Sequence, residues 1–178
     1  MLLTALVFLP LVFALLVMAW PRSQSVRTLA LGLSLVEFAL SLNILQRFNT
    51  ETSALQFVEK HMWIERFGIQ YFLGVDGISI WLVILTTFLT PIIILASWNS
   101  IEHRVKGFHA SLFVSQTAML GTFLAMDAIF FYVFWELSLV PMYFMVGIWG
   151  GARRIYATVK FFIYTMAGSV LMLVAISG

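Results

Sequence analysis

Residues 108–149 read FHASLFVSQTAMLGTFLAMDAIFFYVFWELSLVPMYFMVGIW. As one helix, these roughly 42 residues would extend about 63 Å, twice the ~30 Å hydrocarbon core of a bilayer. The chain must therefore reverse inside the run, and AMDAI at 125–129 is the place. Asp127 can accept from the free N–H groups of a helix start, where its charge suits the positive end of the helix dipole. Two spans joined at one aspartate describe a chain that crosses a membrane repeatedly.

Outward from this pair, four more apolar runs are long enough to cross, making six: roughly 2–20, 28–46, 77–98, 108–126, 128–149 and 155–177. The 178 residues are 62% apolar and 10% charged, whereas a soluble domain carries about 25% charged residues. The expected fold class is an all-α integral membrane protein, a polytopic helix bundle with about six transmembrane helices. Pro10 and Pro91 fall inside spans one and three, where packed neighbours can satisfy the freed backbone groups. The N-terminal run lacks a basic start and a small-residue cleavage site, so it reads as the first span rather than a signal peptide. A net charge of +2 is too small and dispersed for nucleic-acid binding. The absence of cysteine excludes thiolate zinc sites, disulfides and cysteine-ligated iron–sulfur clusters. His61, His103 and His109 lie outside the depths of the apolar runs, so no facing pair is expected to hold a haem; SWNSIEHRVKG, with His103 and His109, reads as a connection.

The connections divide by charge. One side receives Arg22, Arg27, Arg104, Lys106, Arg153 and Arg154 and is read as cytoplasmic. The other receives Arg47, Lys60 and Arg66, offset by Glu51, Glu59, Glu65 and Asp76, so the N-terminus and the end at Gly178 are expected outside. The loop at about 47–76 is the sole sizeable extramembrane segment, and WIERFGIQYFLGVDG within it predicts a hairpin or extended strand on the outer face. Trp20, Trp98 and Trp149 read as interfacial anchors. The chain stops at the edge of an apolar run and reads as a fragment of a longer protein.

Glu136 is the leading chemical candidate, about 4 Å from the middle of its span. Its helix face carries Tyr132 and Tyr143, and Pro141 supplies no N–H to the carbonyl of Leu137. An intramembrane acid beside phenols and a free carbonyl suits a proton path, its charge state switched by a movable cation. Lys160, about 9 Å inside span six, is a candidate relay or an interfacial anchor. Glu37, with Ser34 and Ser41 on its face, is either interhelical glue or functional. Thr86, Thr87 and Thr90 could line a wet path or bond back to their own helix.

Three stretches, GVDGISIWLVILTTFLTPIIILASW, FFYVFWELSLVPMYFMVGIWGG and RRIYATVKFFIYTMAGSVLMLVAI, resemble subunit M of bacterial NADH:quinone oxidoreductase, respiratory complex I, the homologue of mitochondrial chain 4. The resemblance implies an antiporter-like fold of roughly fourteen spans. Residues 1–76 would be a two-helix hairpin with its loop, and 77–178 the third span and the start of the first antiporter-like repeat. It implies a non-redox subunit of a proton-translocating enzyme in the bacterial inner membrane, with the motif glutamate mapping onto Glu136 and its lysine partner beyond residue 178. NADH, FMN, iron–sulfur clusters and quinone would belong to partner subunits, none bound by this chain, and antiporter-like paralogues would be its neighbours in the bilayer. Alternatives are the homologous large subunit of a multisubunit sodium/proton antiporter and a structural membrane scaffold.

Overall fold

A computed structural model describes residues 1–22, 25–52 and 54–177. The chain runs α1 (Leu2–Ala19), α2 (Val26–Arg47), β1 (Gln56–Ile64), β2 (Ile69–Val75), α3 (Ser79–Ala96), α4 (Val105–Leu124), α5 (Ala128–Trp149) and α6 (Arg154–Ser177). Each expected span is a helix, and the outer loop is the expected hairpin. The end at Gly178 lies outside the described residues.

Five helices are long and apolar enough to cross a membrane. The sixth, α4, is more polar and sits centrally, packed against α1, α2, α3 and α5. It buries His109, Ser115, Gln116 and Thr117, groups that hydrocarbon would penalise and that neighbouring helices cover. His109 is a correction: it belongs to α4 rather than a loop, is 1% exposed, and its Nδ1 lies 2.8 Å from the carbonyl of Val105. The helix starts early because Phe108 packs edge-on against Trp149 and draws this turn into the bundle. Asp127 caps α5 as expected, accepting from Ile129 N and Phe130 N at 3.1 and 3.0 Å.

β1 and β2 pair antiparallel, with Glu59 opposite Leu73 and His61 opposite Tyr71. A 3-10 turn at Glu65–Phe67 closes the hairpin onto Gly68, whose φ of 65° is left-handed and suits glycine. Leu73 and Val75 seat the hairpin on one end of the bundle, in a cluster with Leu3, Leu6, Ile80, Leu120 and Phe130. Backbone bonds fasten it further, from Met126 N to Phe72 O at 2.8 Å and from Gln70 N to Asp127 Oδ2 at 3.3 Å. Glu59 caps α1, which has no side-chain cap of its own, by accepting from Leu3 N at 2.9 Å and Thr4 N at 3.1 Å. The Thr4 hydroxyl and the Met1 ammonium also reach it. Burial alone would raise the Glu59 carboxyl, but these donors outweigh it and hold the group below the ordinary carboxylate range.

The basic connections meet at the opposite end. Arg27 Nη2 donates to Ile101 O at 2.6 Å, Trp149 Nε1 to His103 O at 2.9 Å, and Lys106 Nζ to Trp20 O. A second apolar cluster lies here, with Phe13, Val17, Val26, Ala30, Ile94, Leu112 and Phe113. α6 packs on α5 and leaves most of its surface uncovered.

Candidate functional site in helix α5

α5 is held to α4 by an unusually close approach. A Cβ added to Gly121 would fall 2.2 Å from Cδ1 and 2.3 Å from Cγ of Phe134. Phe134 is 4% exposed and lies 5.0 Å, centroid to centroid, from Phe130. Glu136 is two residues further on, about 200° around the helix, and so turns from α4 towards the α6 side. Its carboxylate sits at a seam: Oε1 is buried without a partner, while Val133 and Val140 on the same face are 42% and 48% exposed.

Of the residues expected around it, Tyr132 hydrogen-bonds Ser169 of α6 at 3.1 Å rather than Glu136. Tyr143 stacks edge-on against Phe162, ring centroids 5.4 Å apart. These contacts place Glu136 opposite the 165–169 stretch of α6. α5 runs unbroken through Pro141, so the consequence of that proline is the carbonyl of Leu137 left without its helical donor. Lys160 does not join the acid. It lies nearer the basic end of the molecule, exposed, with Nζ 5.9 Å from the Tyr156 ring centroid. The α6 residues touching α5 include Thr158 and Phe162, and Lys160 turns away from them. Among the described residues no ion pair connects Lys160 with Glu136.

Ser169, 3% exposed, escaped sequence reasoning because a lone serine in an apolar helix carries no pattern. The threonines of α3 bond back to their own helix, Thr86 to Leu82 O, Thr87 to Val83 O and Thr90 to Thr86 O. Thr87 also bonds Ser41 across to α2 at 2.7 Å. Among the described residues no group of histidine, aspartate and glutamate is arranged to hold a metal.

The family described as NADH-ubiquinone oxidoreductase chain 4, amino terminus, matches residues 1–127. The chain belongs to the NADH-ubiquinone oxidoreductase chain 4 family. A second family, NADH:quinone oxidoreductase/Mrp antiporter, TM, matches residues 125–178, the segment holding Glu136 and Lys160. Among chain 4 relatives, NADH-quinone oxidoreductase subunit M of Rhodobacter capsulatus is 44% identical over 180 residues, covering 98% of this chain. The chain spans 35% of the length of that relative. Respiratory complex I from Thermus thermophilus with bound NADH contains a chain that superposes with a TM-score of 0.82 at 28% identity, over 98% of this chain and 35% of that one. The Mrp complex from Dietzia sp. DQ12-45-1b gives 0.83 at 19% identity, over 98% and 19%, a likeness of fold alone. The chain 4 resemblance and the multi-pass helical membrane fold expected from the sequence are both borne out.

Proposed function

We propose that this chain acts within a proton-translocating membrane subunit of an NADH:quinone oxidoreductase, in which quinone reduction elsewhere drives proton uptake and release at Glu136. The observation that carries the reading is the carboxylate itself. One of its oxygens is buried without a partner, at a seam whose other wall is the uncovered α5–α6 face. A cation brought to that face would stabilise the ionised acid, and its withdrawal would favour protonation. Lys160 flanks the face as a secondary candidate, and Tyr132, Tyr143 and the carbonyl freed by Pro141 offer polar groups for water along it.

In this reading residues 77–178 open the first antiporter-like repeat, beside the hairpin unit of 1–76. NADH, FMN, iron–sulfur clusters and quinone belong to partner subunits, and antiporter-like paralogues flank the chain. The location is the bacterial inner membrane with the N-terminus outside, because the basic residues of the first, third and fifth connections gather at one end.

Glu136→Gln in the full-length subunit of the assembled complex tests the proposal. Assembly is expected to survive, with proton pumping lowered about 10²-fold or more, the scale of losing a positioned proton carrier. An assembled variant that pumps at the native rate would point instead to a scaffold. Co-purification with flavin and iron–sulfur subunits is expected; small antiporter subunits in their place would favour membership of a sodium/proton antiporter complex.

A further inference from the structure

Between the two apolar clusters lies a polar layer to which the first four helices all contribute. On α2, Ala30 belongs to one cluster and Ile44 to the other, with Ser34, Glu37 and Ser41 between. On α3, Ile94 and Val83 bracket Thr86, Thr87, Thr90 and Pro91. On α4, Phe113 and Leu120 bracket Gln116 and Thr117. On α1, Phe13 and Val7 bracket Pro10. Ser34, Glu37, Ser41, Thr87, Gln116 and Thr117 are each 0% exposed. The Ser41–Thr87 bond sets the register of the antiparallel pair α2 and α3, so one turn inward Glu37 is level with Pro91.

This layer is short of donors. Both oxygens of Glu37, both polar atoms of Gln116 and the hydroxyl of Thr117 are buried without partners. Pro10 and Pro91 remove two N–H groups, leaving the carbonyls of Leu6 and Thr87 without helical donors at the same level. Among the described residues no cation reaches Glu37. Neither α1 nor α3 carries a titratable side chain. On α2, Arg27 and Arg47 are each ten residues away, about 15 Å. On α4, Lys106 and His109 are ten and seven residues short of Gln116, about 15 and 10 Å. An ionised carboxylate here would be buried and unpaired, the least favourable state for the group. A carboxylic acid supplies the missing O–H donor.

We propose that Glu37 is a second proton-binding site, holding one proton in a closed layer shared with Gln116, Thr117 and the carbonyl of Thr87. It is separate from Glu136: Leu120, Leu124, Phe130 and Phe134 form the apolar barrier between α4 and α5. The two clusters close it towards both membrane faces. The site stands on its own geometry and does not depend on how Glu136 is driven.

Infrared difference spectroscopy of the assembled complex tests it. A protonated-carboxyl C=O band at neutral pH is expected, shifted by exchange into deuterated buffer during turnover. Glu37→Gln removes one carboxyl's share of that intensity, and Glu136→Gln leaves this share in place. Gln116→Leu, which keeps Glu37, shifts the frequency of the band and serves where Glu37→Gln does not assemble. Three results would overturn the proposal. One is a spectrum unchanged by both Glu37→Gln and Gln116→Leu. The second is a Glu37 band that never exchanges, showing a fixed structural bond. The third is a carboxylate band at neutral pH that moves with sodium, showing a metal cation in place of the proton.

Discussion

Gly121→Ala is the sharpest test of how α5 is positioned. The new Cβ would fall 2.2–2.4 Å from Cδ1, Cγ and Cε1 of Phe134. Ordinary carbon contacts lie at about 3.5–4.0 Å, so the ring must withdraw by roughly 1.3 Å or more. Rotating it about χ2 gives no relief, because Cγ lies on that axis and is itself 2.3 Å away. Withdrawal presses on Phe130 and Phe8, whose centroids are 5.0 and 6.2 Å from that of Phe134. Overpacking of this kind costs about 1–3 kcal/mol. Against it stands the helix preference for alanine over glycine, about 1 kcal/mol. The net in the native background is therefore a loss of up to about 2 kcal/mol. In a Phe134→Leu background the clash is gone and the same substitution gains up to about 1 kcal/mol, so the coupling between the sites is about 1–3 kcal/mol. Thermal or denaturant unfolding of the full-length protein in detergent, run as a double-mutant cycle, measures it. A coupling below about 0.5 kcal/mol would refute the claim that this contact sets the α4–α5 distance.

Three further outcomes are expected. The stability contributed by Glu59 is complete above the unfolded carboxylate value of about 4.3 and is lost as the pH falls through its lower folded value. Glu59→Gln should flatten that acid limb in thermal unfolding from neutral pH downward, and an unchanged limb would remove Glu59 as its source. Asp127→Ala leaves Ile129 N, Phe130 N and Gln70 N without their acceptor, costs about 1 kcal/mol, and speeds amide exchange at the start of α5, whereas Asp127→Asn largely restores protection. Lys160→Ala in the assembled complex should reduce pumping far less than Glu136→Gln, since Lys160 turns away from α5; equal losses would make it a relay.

The membrane class, the six helices, the reversal at Asp127 and the outer hairpin were all legible in the sequence. Those features follow from local physics: apolar run length against bilayer thickness, a capping carboxylate between two runs, and glycine punctuation in an aromatic loop. Glu136 and Glu37 were equally visible as acids in hydrocarbon, since each is costly wherever it points. Which way each one faces was not legible. The tertiary structure turns Glu37 into a sealed layer between α2, α3 and α4, and Glu136 to a half-open seam beside α6. It pairs Tyr132 with Ser169, carries Glu59 across 56 residues of chain to cap α1, and makes the most polar span the centre of the bundle. Such outcomes depend on how whole helix faces pack together. That arrangement minimises buried polar groups over the entire bundle at once, and no local stretch of residues encodes it.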